Sequence, residues 1–70
     1  MYEKLKDELK RQGISRYRLS QKTGISSPDI YRAISGKQEM FNGWKTRIAD
    51  ALGCKIEELF PEGKDGEQDE

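Results

Sequence analysis

The chain has 70 residues, which is enough for one small domain with a modest hydrophobic core. Charged residues make up 37% of the chain and apolar residues 33%. The sequence contains no run of 18 apolar residues, so no membrane span is expected, and no charged-then-apolar leader, so no export is expected. The single cysteine cannot form an internal disulfide, which fits the reducing cytoplasm as the expected location.

The charge is distributed unevenly, although the formal net charge is zero. Residues 1–61 carry twelve Lys or Arg and eight Asp or Glu, whereas residues 62–70 carry one Lys and five acids. Within residues 10–37, seven basic residues face a single acid, Asp29. A basic segment followed by an acidic tail is typical of a polyanion-binding domain with a solvated end. The alternative is an ordinary solvated surface.

The first part of the chain predicts two short helices, each ended by a glycine. Leu5 and Leu9 lie four residues apart among charged residues, which predicts an amphipathic first helix that ends at Gly13. Ser15 is the expected N-cap of a second helix, because its hydroxyl can accept a hydrogen bond from a free backbone N–H. Gly24 is expected to end this second helix in the left-handed conformation.

A third helix is predicted to begin at Ser26 and to end at Gly36. Ser26 and Asp29 have the spacing of a capping box, in which a Ser or Thr precedes an acid by three residues. Pro28 falls in the first turn, where its missing N–H costs no hydrogen bond.

Two further helices complete the predicted domain. Asn42 is the expected N-cap of a fourth helix that ends at Gly53, with apolar residues at helical spacing between them. The segment KIEELF predicts a short fifth helix that ends at Pro61. No alternating strand pattern and no internal repeat is present in the sequence.

The predicted fold is therefore all-α, a compact bundle of about five short helices in one domain, residues 1–61. Residues 62–70 contain no apolar side chain and are predicted to form a flexible acidic tail.

The break between the second and third helices predicts a helix-turn-helix. Two short helices joined by a tight turn that contains glycine lie across each other rather than in line. Ser20 supplies a small residue where the helices touch, Gly24 tolerates left-handed geometry, and Ile30 is the apolar anchor beyond the turn. One helix can then lie on a DNA backbone while the other enters the major groove.

Two segments together resemble a known family. SRYRLSQKTGISSPDIYRAISGK (residues 15–37) and RIADALGCKIEELF (residues 47–60) resemble the lambda-repressor-like, Cro-type helix-turn-helix domains, the XRE class. The resemblance covers residues 3–60. It implies a five-helix DNA-binding domain whose recognition helix is formed by residues 26–35.

Carried over by position, the resemblance implies two sets of DNA contacts. The residues implied to contact bases are Ser26, Ser27, Pro28 and Arg32. The residues implied to face the DNA backbone are Arg16, Tyr31, Lys37, Gln38 and Asn42, to which the basic segment adds Arg18 and Lys22. An arginine can present a bidentate fork to guanine, and a serine hydroxyl can donate to or accept from any base edge. Free N–H groups at helix N-termini attract phosphate.

The sequence departs from the family pattern at several packing positions. Ala33 and Ile34 stand where many relatives have a large apolar residue and then an acid, so Phe41 is a candidate to fill the space beside Ala33. Lys45 stands where leucine is common, and Trp44 is expected to take over its packing as a core residue.

Three more side chains bear on the fold and on partners. Met40 and Phe41 either close the core or form an apolar patch through which such domains dimerise. Cys54 is expected to be a buried thiol rather than a reactive one.

The resulting interpretation is a sequence-specific DNA-binding transcriptional regulator, a small repressor of phage or mobile-element type that acts by promoter occlusion. The chain has no histidine, no metal-ligand spacing and no phosphate-binding loop, so no enzyme activity, metal or cofactor is expected. The expected partners are double-stranded DNA and a second copy in a weak homodimer formed on DNA, with no membrane. The alternative is a protein-interaction adaptor or antitoxin that retains the fold, which would not need the excess of positive charge in residues 10–37.

Overall fold

Five α-helices make up residues 2–61, the part of the chain that the computed structural model describes, and no strand is present there. Their bounds are α1 Glu3–Gln12, α2 Arg16–Thr23, α3 Ser27–Ile34, α4 Asn42–Leu52 and α5 Ile56–Leu59. The all-α prediction is confirmed. The predicted acidic tail, residues 62–70, lies outside the described residues, so the domain boundary stays a prediction.

The helix ends are set by local chemistry in most of the places predicted. The Ser15 hydroxyl accepts a hydrogen bond from the Arg18 backbone N–H at 3.1 Å and so caps α2. Gly13 and Gly53 are the C-caps of α1 and α4. α5 ends at Leu59, two residues before Pro61, and its first turn is closed by the Glu58 carboxylate, which accepts from the Lys55 backbone N–H at 3.1 Å.

One core joins the five helices. α2 packs on α3 and α4, while α5 packs on α1 and α4 and closes the end of the bundle. The side chains with no more than 1% of their surface exposed are Leu5, Leu19, Ile30, Ala33, Ile34, Ile48 and Phe60. Burying an aliphatic side chain of this size contributes about 1.5–3 kcal/mol, so these few residues supply much of the stability of such a short chain.

The position of Lys45 differs from the prediction. Lys45 is only 7% exposed, and its ammonium nitrogen lies 5.8 Å from the centroid of the Phe60 ring. Trp44 is half-buried at the margin of the core rather than in the place of residue 45. The physical reason is that a lysine side chain carries an aliphatic stem that can cover apolar surface, so residue 45 keeps its inward orientation.

Met40 and Phe41, in the loop between α3 and α4, have different environments, although the sequence left the same two alternatives open for both. Met40 is 4% exposed and closes the core, whereas Phe41 is 47% exposed. The Phe41 ring packs edge-on against Trp44, with 4.7 Å between the ring centroids. That Phe41 fills the space beside Ala33 stays a prediction. Because Ala33 and Ile34 are both fully buried, α3 itself covers that part of the core.

Cys54 is half-buried rather than fully buried. Its Sγ lies 3.6 Å from the carbonyl oxygen of Leu52, which is consistent with a weak hydrogen bond. Burial, together with the nearby negative charge of Glu8, raises the pKa of the Cys54 thiol above its ordinary value. The thiolate is therefore disfavoured at neutral pH, as expected for a structural cysteine.

Candidate nucleic-acid interface

The turn between α2 and α3 takes three residues, Gly24 to Ser26. Gly24 has a φ of +79°, in the left-handed region, and its N–H donates to the Ser20 carbonyl at 2.9 Å. Ser20 is buried, and its hydroxyl donates to the Tyr17 carbonyl at 2.6 Å. Ile30 is fully buried beyond the turn. Gly24 therefore has the left-handed geometry predicted for it, Ser20 and Ile30 are buried on either side of the turn, and α2 packs on α3.

The first turn of α3 is open to solvent on one side. The Ser26 hydroxyl caps the helix by accepting from the Asp29 backbone N–H at 3.3 Å, and Pro28 lies in the first turn. Ser26 and Pro28 are exposed and Ser27 is half-buried. Ile30, Ala33 and Ile34 occupy the buried face of α3. The residues exposed on the opposite face are Pro28, Tyr31 and Arg32.

Arg32 is held by two neighbouring side chains. Its Nη2 donates to Oδ1 of Asp29 at 2.8 Å, and its Nε donates to Oε1 of Gln38 at 3.0 Å. A hydrogen bond with the Ser26 side chain, followed by the contact with Arg32, holds the pKa of the Asp29 carboxyl below its ordinary value. Asp29 is therefore a carboxylate at neutral pH, and Arg32 keeps half of its side-chain surface exposed beside it.

The end of α3 brings Gln38 back towards the helix. Gly36 has a φ of +84°, and its N–H donates to the Ala33 carbonyl at 3.2 Å. The Lys37 N–H donates to the Arg32 carbonyl at 2.8 Å, which completes a Schellman motif. Gly36 therefore ends the helix as predicted, and the reversed chain places Gln38 next to the Arg32 guanidinium while Lys37 stays exposed.

Arg16 and Tyr31 meet across the helix-turn-helix. The Arg16 guanidinium carbon lies 5.8 Å from the centroid of the Tyr31 ring, within the range of a cation–π contact. Lys6 and Lys10 of α1 line the same groove, above Ile14. Three cationic side chains therefore line one groove with the N-terminus of α2, where the free N–H groups of the first turn add further positive potential.

The beginning of α4 corrects the prediction for Asn42. Asn42 is the first residue of α4, and the N-cap is Phe41, whose carbonyl accepts the first helical hydrogen bond from the Lys45 N–H at 3.0 Å. No side chain caps the helix, and the Phe41–Trp44 ring contact lies at its start. The first N–H groups of α4 remain open to an outside acceptor.

The structure brings together some of the sequence-predicted site residues and separates others. Arg32 joins Gln38, and Arg16 joins Tyr31. Arg18 and Lys22 are exposed on the side of α2 opposite its buried face, so they are less closely tied to the recognition helix.

Asp29 was missed as a partner of Arg32, although an acid three residues before a base on a helix is a recognisable signal. Lys6 and Lys10 could not be assigned, because their groove depends on the packing of α1.

Metal sites and membrane spans are not found in residues 2–61. No group of three or more acidic, histidine or cysteine residues there is placed to hold a metal ion. None of the helices described has the length and apolarity needed to cross a bilayer.

The three-residue turn, the packing of α2 on α3 and the exposed polar face of α3 define a helix-turn-helix DNA-binding domain. The chain belongs to the Cro/C1-type HTH DNA-binding domain family, whose model matches residues 4–61. The resemblance found in the sequence is confirmed over nearly the same span. Comparisons with curated proteins and with solved structures gave no significant match.

Proposed function

We propose that this protein is a sequence-specific transcriptional regulator, a small repressor of phage or mobile-element type that works in the cytoplasm without enzymatic activity. The bound domain would cover a promoter and block polymerase. The observation that carries the proposal is the outer face of α3. There the guanidinium of Arg32 is exposed, held by neighbouring side chains and flanked by the open first turn of the helix.

Four residues are proposed to read base edges. Arg32 lies near the centre of the exposed face of α3 and suits guanine, because its planar fork can donate to O6 and N7 together. Ser26 and Ser27, at the start of the helix, offer hydroxyls to base edges. Pro28 cannot donate and would pack on a thymine methyl group.

The proposed backbone contacts flank this face. Arg16 and Tyr31 would grip one phosphate at the start of α2, and the open N-terminus of α4 at Asn42 would receive another. The remaining proposed backbone contacts are Lys37 and Gln38 after α3, and Arg18 and Lys22 on α2. Gln38 would then have two roles, since its side-chain oxygen already accepts from Arg32.

A pair of copies on DNA is the proposed working form. Two-fold symmetric half-sites about one helical turn apart would each take one domain. The association is proposed to be weak in free solution, so the protein would be mostly monomeric at micromolar concentration. Sedimentation that shows a stable dimer at nanomolar concentration would contradict this part of the proposal.

Selection of bound sites from random DNA tests the proposal. We expect the full chain to enrich one motif, with symmetric half-sites if two copies bind. If four to six phosphates are neutralised per domain, the logarithm of the binding constant should fall with the logarithm of salt with a slope of about −4 to −5. Transcription in vitro from a promoter that carries the selected motif then tests occlusion. A flat salt response and no enriched motif would reject DNA binding.

One observation favours the second candidate, a protein-interaction adaptor or antitoxin. Phe41 is 47% exposed and forms an aromatic pair with Trp44 on the surface at the start of α4. Exposed aromatic side chains are enriched at protein interfaces. The two functions differ in salt dependence, because an aromatic contact would persist at salt concentrations that release DNA.

A further inference from the structure

Asp29 is the only acidic residue of α3, and it lies beside the face proposed to meet DNA. A carboxylate near the phosphate backbone opposes binding by like-charge repulsion, so its presence there calls for a physical reason. The simplest reason is structural, since an acid in the first turn stabilises a helix through the helix dipole. The geometry of its side chain supplies a second reason.

The Asp29 carboxylate and the Gln38 amide oxygen together fix the guanidinium of Arg32. They accept hydrogen bonds from Nη2 at 2.8 Å and from Nε at 3.0 Å. A guanidinium has five N–H donors, so three remain, enough for a bidentate contact to one guanine. Fixing the fork before binding removes part of the side-chain ordering that DNA would otherwise have to impose.

From this arrangement we infer that Asp29 determines specificity, acting as a positioning residue for Arg32. At a cognate site Arg32 contacts its base and keeps Asp29 as a partner. At other sites an Arg32 that turns away to a phosphate breaks its bond to Asp29, whose carboxylate then loses its cationic partner while it lies near the DNA. Asp29 therefore weakens binding to random DNA more than it weakens binding to the cognate site. The inference rests on the proposed DNA-binding function.

The test compares Asp29→Asn with Asp50→Asn, which makes the same charge change at an exposed position on α4. Affinities are measured for the selected site, for the same site with the base pair of Arg32 replaced, and for a random duplex. We expect Asp29→Asn to bind random DNA about three- to tenfold more tightly and to lose about tenfold discrimination at that one base pair. Asp50→Asn should shift all three affinities in parallel.

Two further variants separate positioning from a purely structural role. Asp29→Glu keeps the charge at a position where glutamate is favoured and can still reach Arg32, so it should restore most of the discrimination. Asp29→Gln is a second neutral variant that remains compatible with the helix start, in case Asp29→Asn folds poorly. If the neutral variants lower the melting temperature and weaken all three duplexes equally, Asp29 is only a helix-stabilising residue and the inference is rejected.

The failure of this inference can be told apart from the failure of the proposed function. A wild-type chain that enriches a motif, beside an Asp29→Asn variant with unchanged discrimination, overturns the inference alone. A wild-type chain that binds no duplex overturns the proposed function and the inference with it.

Discussion

The side chain of Gln12 connects the end of α1 to the end of α4. Its Nε2 donates to the backbone carbonyl of Leu52 at 2.9 Å and to Oε2 of Glu8 at 2.6 Å. The Leu52 carbonyl is one of the last carbonyls of α4, which have no partner within the helix. Gln12 thus supplies a hydrogen-bond donor to the C-terminus of α4, forty residues away in sequence, and links α1 to the bundle.

Replacing Gln12 by alanine removes both bonds and should lower the free energy of unfolding by at least about 0.5–1.5 kcal/mol, the usual net contribution of one hydrogen bond. The matched control is Gln21→Ala on α2, because the Gln21 amide donates to the exposed Tyr17 hydroxyl of the same helix at 3.3 Å. Both variants make the same Gln→Ala exchange within a helix. Urea denaturation of the two variants measures the difference, and equal midpoints would mean that the bond to Leu52 contributes nothing.

Glu8 should titrate far below an ordinary glutamate. Hydrogen bonds from Arg11 and then from Gln12 lower the pKa of Glu8 from 4.5 to about 2. Since the pKa in the folded state lies below the value in the unfolded state, Glu8 stabilises the fold fully above pH 4.5, and this contribution is lost as the pH falls towards 2. A carboxyl titration by nuclear magnetic resonance measures the pKa directly.

Two variants check the origin of this pH dependence. Arg11→Gln should raise the pKa of Glu8 back towards 4.5, because the bond from Arg11 is its largest cause. Glu8→Gln should make the melting temperature less sensitive to acid over the same range. A melting curve with unchanged acid sensitivity in Glu8→Gln would show that other carboxyl groups, Asp29 among them, carry the effect.

The helices could be predicted from the sequence because their ends depend on local chemistry. Ser15 and Ser26 cap the helices they precede, and Gly24 ends α2 in the left-handed conformation. Each of these features needs only a few consecutive residues, so the pattern alone predicts it. The resemblance added the identity of α3 as the recognition helix.

The errors and omissions have tertiary causes. Asn42 is a good capping residue by type, but the N-cap lies one residue earlier at Phe41, whose ring contacts Trp44. Lys45 is buried beside Phe60, a contact that no local pattern could supply. The contact of Gln38 with Arg32 requires the reversal of the chain at the end of α3. The hydrogen bond that holds the Arg32 guanidinium could therefore not be predicted from the sequence of α3 alone.

Gly24 should not tolerate a β-branched side chain. No atom lies within 4 Å of the position that a Cβ would occupy, so the cost is backbone strain alone, at a φ of +79°. We expect Gly24→Val to lose at least about 1–2 kcal/mol of stability and Gly24→Asn to lose less, since asparagine visits this region more readily.

Gly43 provides the control for Gly24. It lies within α4, also with no atom near a Cβ, and its φ is not in the left-handed region. Gly43→Ala should therefore stabilise the protein by about 0.5–1 kcal/mol. Thermal melts of the variants compare the two sites, and an unchanged melting temperature in Gly24→Val would show that the turn is not built as described.

Arg32→Ala should weaken binding to the selected site by about 1–3 kcal/mol and relax one base position. The reason is that the fork of Arg32 is the side chain on α3 best suited to a bidentate base contact. Affinities for the selected site and for its single base-pair variants measure the effect. An equal loss on every sequence would reassign Arg32 to a phosphate contact, and no loss would remove it from the interface.

Arg16→Ala should instead weaken binding to all duplexes by the same factor. Arg16 lies half-buried against the Tyr31 ring at the N-terminus of α2, where it suits a phosphate but reaches no base edge on the proposed interface. Losing one phosphate contact should make the slope of the logarithm of the binding constant against the logarithm of salt less negative by about 0.9. Arg18→Ala removes the same charge from the opposite face of α2, where another proposed backbone contact lies, and is the variant for comparison. A larger loss in Arg18→Ala than in Arg16→Ala would mean that α2 lies on DNA through its other face, and would place the Arg16–Tyr31 contact outside the interface.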